Sequence, residues 1–439
     1  MTSSPAQILE ADLTWTGDAF ERGVRVEVGA DGRIAALHRS VDQKGPVVRL
    51  AGRALLPGLV DVHSHAFQRG LRGRGETFPR GAGSFWTWRE AMYGLVSRLG
   101  AEEFQSLCRQ TFREMRAAGI TTVGELHYFH HTLGTEDWAF DELVLRAAAE
   151  AGIRIVLIQS YYRTGDIGRP LEGAQLRFAS PSPAAYWEQM DRLAPLVARI
   201  DPRRQSLAAS VHSLRAAGLD DLRTVYDEAR RRDLPFHIHV EEQRREIETA
   251  LAYYGQRPMA LLLDTLGTAT DITAVHCTHT DPPDMERFVA GGGTVCLCPL
   301  TEGNLGDGIA AVPHLRRLGG ALCLGSDSNA RLSTLEEMRW LEYVQRLASE
   351  TRGVLRDESE GGSVARVLLD AATRGGAQAL GLDAGRIAPG AWADFAAIDL
   401  TARTLAGWEP ETLLDALVFG ASEEAIAGTC VGGEWGEIR

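Results

Sequence analysis

The amino-acid sequence predicts an α/β protein: a (β/α)8 TIM-like barrel with a small β-sandwich domain built from both chain termini. Three observations carry this. Between residues 57 and 379, about eight short apolar runs alternate with helix-patterned stretches. That repetition means parallel strands joined by crossover helices. Several of the runs end in polar or titratable residues, which such a barrel places on its C-terminal face, where its chemistry sits. Both ends of the chain read differently, as short strands, so residues 1–56 and 380–439 are assigned to the small domain. No Gly-x-Gly-x-x-Gly turn follows the first strong strand, which argues against a doubly wound dinucleotide-binding sheet.

The elements follow in order. "RVEVGADGRIAALH" alternates about an Asp31-Gly32 turn and predicts a hairpin. "LPGLVDVHSHAFQRGLRG" is a strand that ends in histidines, and alternation puts Asp61, His63 and His65 on one face. Two converging imidazoles suit a metal, which needs several neutral nitrogens at about 2.0–2.1 Å. They would also suit a hydrogen-bonded pair at a barrel rim. "GITTVGELHYFHH", "GIRIVLIQSYY", "SLAASVHSL", "LPFHIHVEEQ", "ITAVHCTHT", "GTVCLCPLTEG" and "GALCLGSDSNA" supply the remaining strands. "PSPAAYWEQMDRLAPLVARI" and "STLEEMRWLEYVQRL" have helical spacing, the second with Ser333 and Glu336 in capping-box register. "RDESEGGS", 356 to 363, reads as a surface loop, and "GRIAPGAWADFAAIDL" and "AGTCVGGEWGEIR" return to strands.

Composition narrows the function. With 44% hydrophobic and 24% charged residues the chain is ordinary for a soluble globular protein. A net charge of −13 argues against nucleic acid, since phosphate binding needs a basic surface. No signal peptide is evident in "MTSSPAQILEADLTWTGDAF", and no apolar run reaches the roughly 18 residues of a membrane helix. The six cysteines, Cys108, Cys277, Cys296, Cys298, Cys323 and Cys430, do not resemble a disulfide framework, so a reducing cytoplasm is expected. Cys296 and Cys298 read as small buried strand residues rather than a thiolate metal site, because no second cysteine pair accompanies them. Lys44 is the only lysine.

The polar strand ends form a set. "FHIHVEEQ" repeats the paired histidines with His237 and His239, and Glu242 follows three residues after His239. "AVHCTH" adds His276, and "CLGSDSNA" puts Asp327 after another apolar run. A site of His63, His65, His239 and Asp327 would give three nitrogens and one carboxylate, a plausible zinc set with room for water. Each fragment alone is weak, since an aspartate after a strand is commonly a turn residue and a single histidine is commonly structural. Their order along one βα repeat makes the set specific.

"PGLVDVHSH", the His-x-x-Glu, the single histidine and "GSDS" resemble the amidohydrolase superfamily, in its deaminase branch. "HSHAFQRGLRG", "SFWTWREAMY", "VHSLRA", "CPLTEGNLGDG" and "GSDSNARLSTLEEMRWLEY" are similar to its formimidoylglutamate deiminase family. The resemblance implies a metal-dependent hydrolase of histidine degradation that converts N-formimino-L-glutamate to N-formyl-L-glutamate and ammonia. It implies one divalent metal ion, with zinc first and iron or manganese able to fill such donors. Relatives that bridge two metals use a carboxylated lysine on a middle strand. Lys44 precedes the first histidine pair and cannot serve, which leaves Glu125 as the only candidate bridge.

The implied roles are these. The metal lowers the pKa of bound water to about 7, and the resulting hydroxide attacks the formimidoyl carbon. Glu242 shuttles the proton, and His276 and Asp327 hold the attacking oxygen. His237 supports the strand, and Glu241 is a solvated neighbour. The substrate's carboxylates meet Arg89, Tyr128, His212 and Arg215, while Gln68 contacts the formimidoyl end; Arg69, Arg72 and Arg74 are further arginines near the metal pair. Without the resemblance each arginine reads as part of a solvated helix face. The segment Phe85 to Tyr93 would cover the site or form a contact in a homodimer. Competing functions are deamination of guanine or a related heterocycle, a non-catalytic metabolite-binding barrel, or the same hydrolysis expelling glutamate and leaving formamide.

Overall fold

Eight parallel strands form the centre of the computed structural model, which describes residues 7–39, 47–74, 76–78, 83–267 and 271–437. The strands are β1 (Leu59–Ser64), β2 (Ile120–His127), β3 (Arg154–Tyr161), β4 (Gln205–Ser213), β5 (Phe236–Val240), β6 (Thr273–His276), β7 (Thr294–Leu297) and β8 (Ala321–Leu324). Each pairs with the next in parallel, as the repetition in the sequence predicts. Closure comes just beyond β8. Asp327 donates its N–H to the His63 carbonyl at 2.8 Å, and its carbonyl accepts from His65 N–H at 2.9 Å. Gly325 makes that approach possible, because a Cβ there would sit 2.8 Å from both the His63 Cβ and its carbonyl oxygen. Asp61 reinforces the seam by accepting from Ser326 N–H at 2.9 Å and Ser326 Oγ–H at 2.5 Å.

Two irregularities matter for the site. The register slips between Asp61 and Ser64 where β1 meets β2, and between His237 and His239 where β5 meets β4. Such slips re-aim side chains near strand ends. Five residues just past strand ends or at them, Glu241, His276, Cys277, Asp327 and Asn329, have positive φ. Each such non-glycine residue costs about 1–2 kcal/mol.

Helices form the outer layer. Pro183–Ile200 and Thr334–Ser349 match the two stretches with helical spacing. Ser333 Oγ accepts from Glu336 N–H at 3.2 Å, while the Glu336 carboxylate turns away to Arg331. Near the barrel mouth lies α1 (Phe85–Val96), started by a capping box in which Ser84 and Thr87 bond reciprocally. It buries Phe85, Met92, Leu95 and Val96.

The two chain termini join in a second, mixed sheet. Val47–Pro57 lies at its centre, parallel to Gln7–Trp15 and antiparallel to Phe395–Asp399. Arg25–Val28 and Ile34–His38 form the expected hairpin, and Ile426–Val431 and Glu434–Trp435 complete the opposite edge. Leu9, Val26, Ile34, Leu55, Phe395 and Ala397 share its apolar cluster. Arg154 of β3 clasps this sheet, its guanidinium donating to both Asp394 carboxylate oxygens at 2.8 and 3.0 Å, with both residues buried.

All six cysteines are free and buried. Residues 356–363 lie at the surface around a short 3-10 turn. Among the described residues no helix is long and apolar enough to cross a membrane. Lys44 lies outside the described residues.

Candidate active site

Three strand ends, those of β1, β5 and β8, converge on one cluster. Ligand atoms of His63, His65, His239 and Asp327 all lie within 4.8 Å of one another, and all four residues are buried. Asp327 Oδ1 is 3.4 Å from His63 Nε2 and 3.3 Å from His65 Nε2. His239 Nε2 is 3.1 Å from His63 Nε2.

The rings are oriented from behind. His65 Nδ1–H donates to the Leu126 carbonyl at 2.8 Å, and His239 Nδ1–H donates to the His212 carbonyl at 2.7 Å. Donation through Nδ1 fixes the tautomer and turns the Nε2 lone pair inward, the arrangement metal-ligating histidines adopt. Burial, helped by the neighbouring His63, pushes the His65 pKa down to about 3, and burial lowers those of His63 and His239 as well. Asp327 is the reverse case. Burial opposes its charge, but His63, His276 and His65 outweigh it and hold the carboxyl well below the usual range. Neutral imidazole lone pairs beside a carboxylate repel until a cation sits between them. Three nitrogens and one oxygen in that state fit a divalent metal such as zinc.

His276 flanks the cluster. Its Nε2 is 3.8 Å from Asp327 Oδ2 and 3.9 Å from Glu242 Oε1, and has no hydrogen-bond partner. Burial works against its cation, yet Glu242, Glu302 and Asp327 together raise its pKa to about 10. Glu242 also pairs with Arg215, whose Nη2 donates to Oε2 at 3.3 Å.

A cavity of about 50 Å³ opens over these groups. His65, His239, Glu242, His276 and Asp327 line it, together with all five residues expected to meet the substrate: Gln68, Arg89, Tyr128, His212 and Arg215. Gln68 Nε2 donates to the Tyr128 hydroxyl at 2.7 Å, leaving its buried Oε1 without a partner. His212 is kept neutral by burial and by the nearby Arg215, its pKa well below the ordinary value. Arg89 comes from α1, where its Nη2 donates to the Gly165 carbonyl at 3.2 Å.

The other residues singled out in the sequence lie around this site. Glu241 is not solvated: it is fully buried, and its carboxylate accepts from Arg257 Nη2 and Met259 N–H, both at 3.3 Å. The positive φ at Glu241 turns its side chain inward, which the charged run "EEQRRE" conceals. His237 does not join the cluster; its Nε2–H donates to the Ala379 carbonyl at 3.0 Å. Glu125 Oε1 accepts from Ala66 N–H at 2.7 Å at the turn after β1, and burial raises its pKa to about 8. Arg69 binds Glu114 and the Asn329 and Ala330 carbonyls, away from the cavity. Arg72 faces a neighbouring cavity that shares Gln68 and Trp88 with this one.

Sequence reasoning misses part of the lining. Tyr162, Phe178 and Leu305 face the cavity, beside Trp88 and Tyr93 of the segment Phe85 to Tyr93. Glu302 lies 3.4 Å from His276 Nδ1 and accepts from Cys298 N–H at 3.0 Å. Neither signal is local in the chain.

Comparison with known proteins agrees with this geometry. The amidohydrolase family matches residues 54–436. The formimidoylglutamate deiminase of Pseudomonas aeruginosa is 40% identical over 425 residues, covering 95% of this chain and 92% of that protein. A 5-methylthioadenosine/S-adenosylhomocysteine deaminase of Natronomonas pharaonis is 29% identical, covering 98% and 90% respectively. The crystal structure of an amidohydrolase from Brucella melitensis superposes with a TM-score of 0.87 at 30% identity, covering 98% of this chain and 95% of that one.

Proposed function

The chain belongs to the amidohydrolase family and is a hydrolase of carbon–nitrogen bonds, and from that premise we propose that it converts N-formimino-L-glutamate and water to N-formyl-L-glutamate and ammonia. The observation that carries this reading is the cavity itself. Two arginines, a tyrosine and a neutral histidine line it together with the histidine–aspartate cluster and Glu242. A dicarboxylate that carries a reactive amidine on its α-nitrogen is complementary to that lining. The 40% identity to a formimidoylglutamate deiminase supports it.

His63, His65, His239 and Asp327 would hold one divalent metal, most simply zinc. When bound it supplies a Lewis acid that makes water nucleophilic near neutral pH. Arg89, Arg215, Tyr128 and His212 receive the two carboxylates and fix the substrate's length. Gln68 Oε1, buried and unpartnered, accepts from the amidine N–H and orients its carbon. Glu242 takes a proton from the attacking water and returns it to the departing nitrogen, which leaves as ammonia. His276 donates to the oxygen as charge builds on it. Trp88, Tyr162 and Phe178 exclude bulk water from the reacting end.

Deamination of a heterocycle is the second reading, supported by the nucleoside deaminase relative. The test is incubation of metal-loaded protein with N-formimino-L-glutamate, following ammonia and product mass together. Ammonia with N-formylglutamate is expected. Formamide with glutamate would reassign the departing group, and no turnover with metal bound would move the substrate to a heterocycle.

A further inference from the structure

We propose that His276, Cys298 and the outer carboxylate oxygen of Asp327 form a second cation site, open to soft divalent metals, whose occupancy shuts the enzyme down. The binding half stands on geometry alone; the inhibitory half rests on the role given above to His276.

Three observations meet at this point. A ring nitrogen of His276, Cys298 Sγ and a carboxylate oxygen of Asp327 lie within 4.8 Å of one another, all buried. Asp327 divides its two oxygens: Oδ1 faces His63 and His65 at 3.4 and 3.3 Å, while Oδ2 faces His276 Nε2 at 3.8 Å. One carboxylate can therefore serve both positions. His276 Nε2 is 1% exposed at the side chain and lacks any hydrogen-bond partner, a cost that a ligand would remove. Cys298, immediately after β7 and fully buried, has no part in the hydrolysis described above.

The donor types set the specificity. A four-coordinate metal with metal–sulfur near about 2.3 Å and metal–nitrogen near about 2.0 Å fits donors at this spacing. Sulfur favours cadmium or surplus zinc over magnesium, calcium or manganese. Binding forms the metal–sulfur and metal–nitrogen bonds and releases both the Cys298 thiol proton and the His276 ring proton to solvent. With Glu242 Oε1 3.9 Å from His276 Nε2, a cation there removes His276 from the oxygen and pulls on the proton-carrying carboxylate.

The experiment titrates cadmium ion into the holoenzyme carrying its resident metal. It reads bound metals per chain, the thiolate-to-cadmium ultraviolet band, and turnover. Expected are one added cadmium beside the resident metal, the band, and loss of activity. Cys298→Ala should lose the added cadmium and the band, keep the resident metal and basal turnover, and weaken cadmium inhibition by more than about 10-fold, the loss typical of removing even an outer partner. Cys298→Ser repeats the test should the alanine variant misfold, and Cys296→Ala should behave as wild type. Cadmium that merely replaces the resident metal, or a band that survives in the Cys298 variants, overturns the site. Cadmium bound with full turnover overturns the inhibition. Stoichiometry and band decide the site even if N-formimino-L-glutamate is not the substrate.

Discussion

Arg215 and Glu242 are a buried pair, with Nη2 donating to Oε2 at 3.3 Å and each side chain about 5–6% exposed. Burial disfavours the Arg215 charge, but Glu246 and Glu242 more than compensate and keep it firmly cationic. Arg215 thus faces both the cavity and Glu242, for which the proton-carrying role is proposed. Arg215→Met should raise KM and also lower kcat. Arg89→Met, which touches no catalytic group, should mainly raise KM. Losing one charged hydrogen bond predicts about a 10–100-fold fall in kcat/KM for Arg89→Met. Steady-state kinetics on both variants check this, and unchanged kinetics in both would remove the dicarboxylate reading.

Glu242→Gln should retain the metal and lose about 10²–10⁴-fold in kcat. The glutamine keeps an acceptor for Arg215 but carries no exchangeable acid proton. Metal analysis alongside turnover separates this from loss of the centre.

Zinc added to metal-depleted protein should raise the thermal midpoint, because a ligand bound only by the folded state adds about 4 kcal/mol at a thousandfold excess over Kd. His239→Ala should abolish most of that rise. A full zinc-dependent rise in the variant would place the metal elsewhere.

Glu125 predicts an alkaline effect. Its folded pKa is raised to about 8 by burial, against about 4.3 unfolded. The folded state therefore holds the extra proton. This stabilisation is complete below the unfolded value and is lost as pH rises through about 8, at up to about 1.4 kcal/mol per pH unit. Glu125→Gln keeps the bond from Ala66 N–H and removes that dependence. Midpoints of variant and wild type should diverge between pH 6.5 and 8, with the variant the more stable at the upper end. Parallel curves would refute the assignment.

Asp394→Ala leaves the Arg154 guanidinium buried without its carboxylate. Breaking such a pair costs about 3–5 kcal/mol. Denaturant unfolding should shift accordingly, and a shift below about 1 kcal/mol would show that the clasp holds little.

The barrel and the histidine–aspartate cluster are legible in the sequence because their signals are local. His63 and His65 differ by two on an apolar strand, and Asp327 ends another. The aromatic wall is not legible. Tyr162 and Phe178 have the same apolar character as core residues, and only the fold turns them to the cavity. Glu302 lies 26 positions from His276, in a seven-residue helix with no charge pattern to announce the contact. Glu241 misleads for the opposite reason: it sits in a charged run with the exposed Arg244 and Arg245, yet it is fully buried and has a positive φ.

The joining of both termini in one sheet has a consequence in time. Pro57 pairs with Phe395, which follows it by 338 positions. At roughly 5–20 residues per second, a ribosome needs roughly 20–70 s to deliver the partner strand. Through that interval Val47–Pro57 has an open edge, the state in which strands seek wrong partners. Rapid synthesis and early chaperone contact should therefore govern the yield of this protein more than the final stability of its barrel.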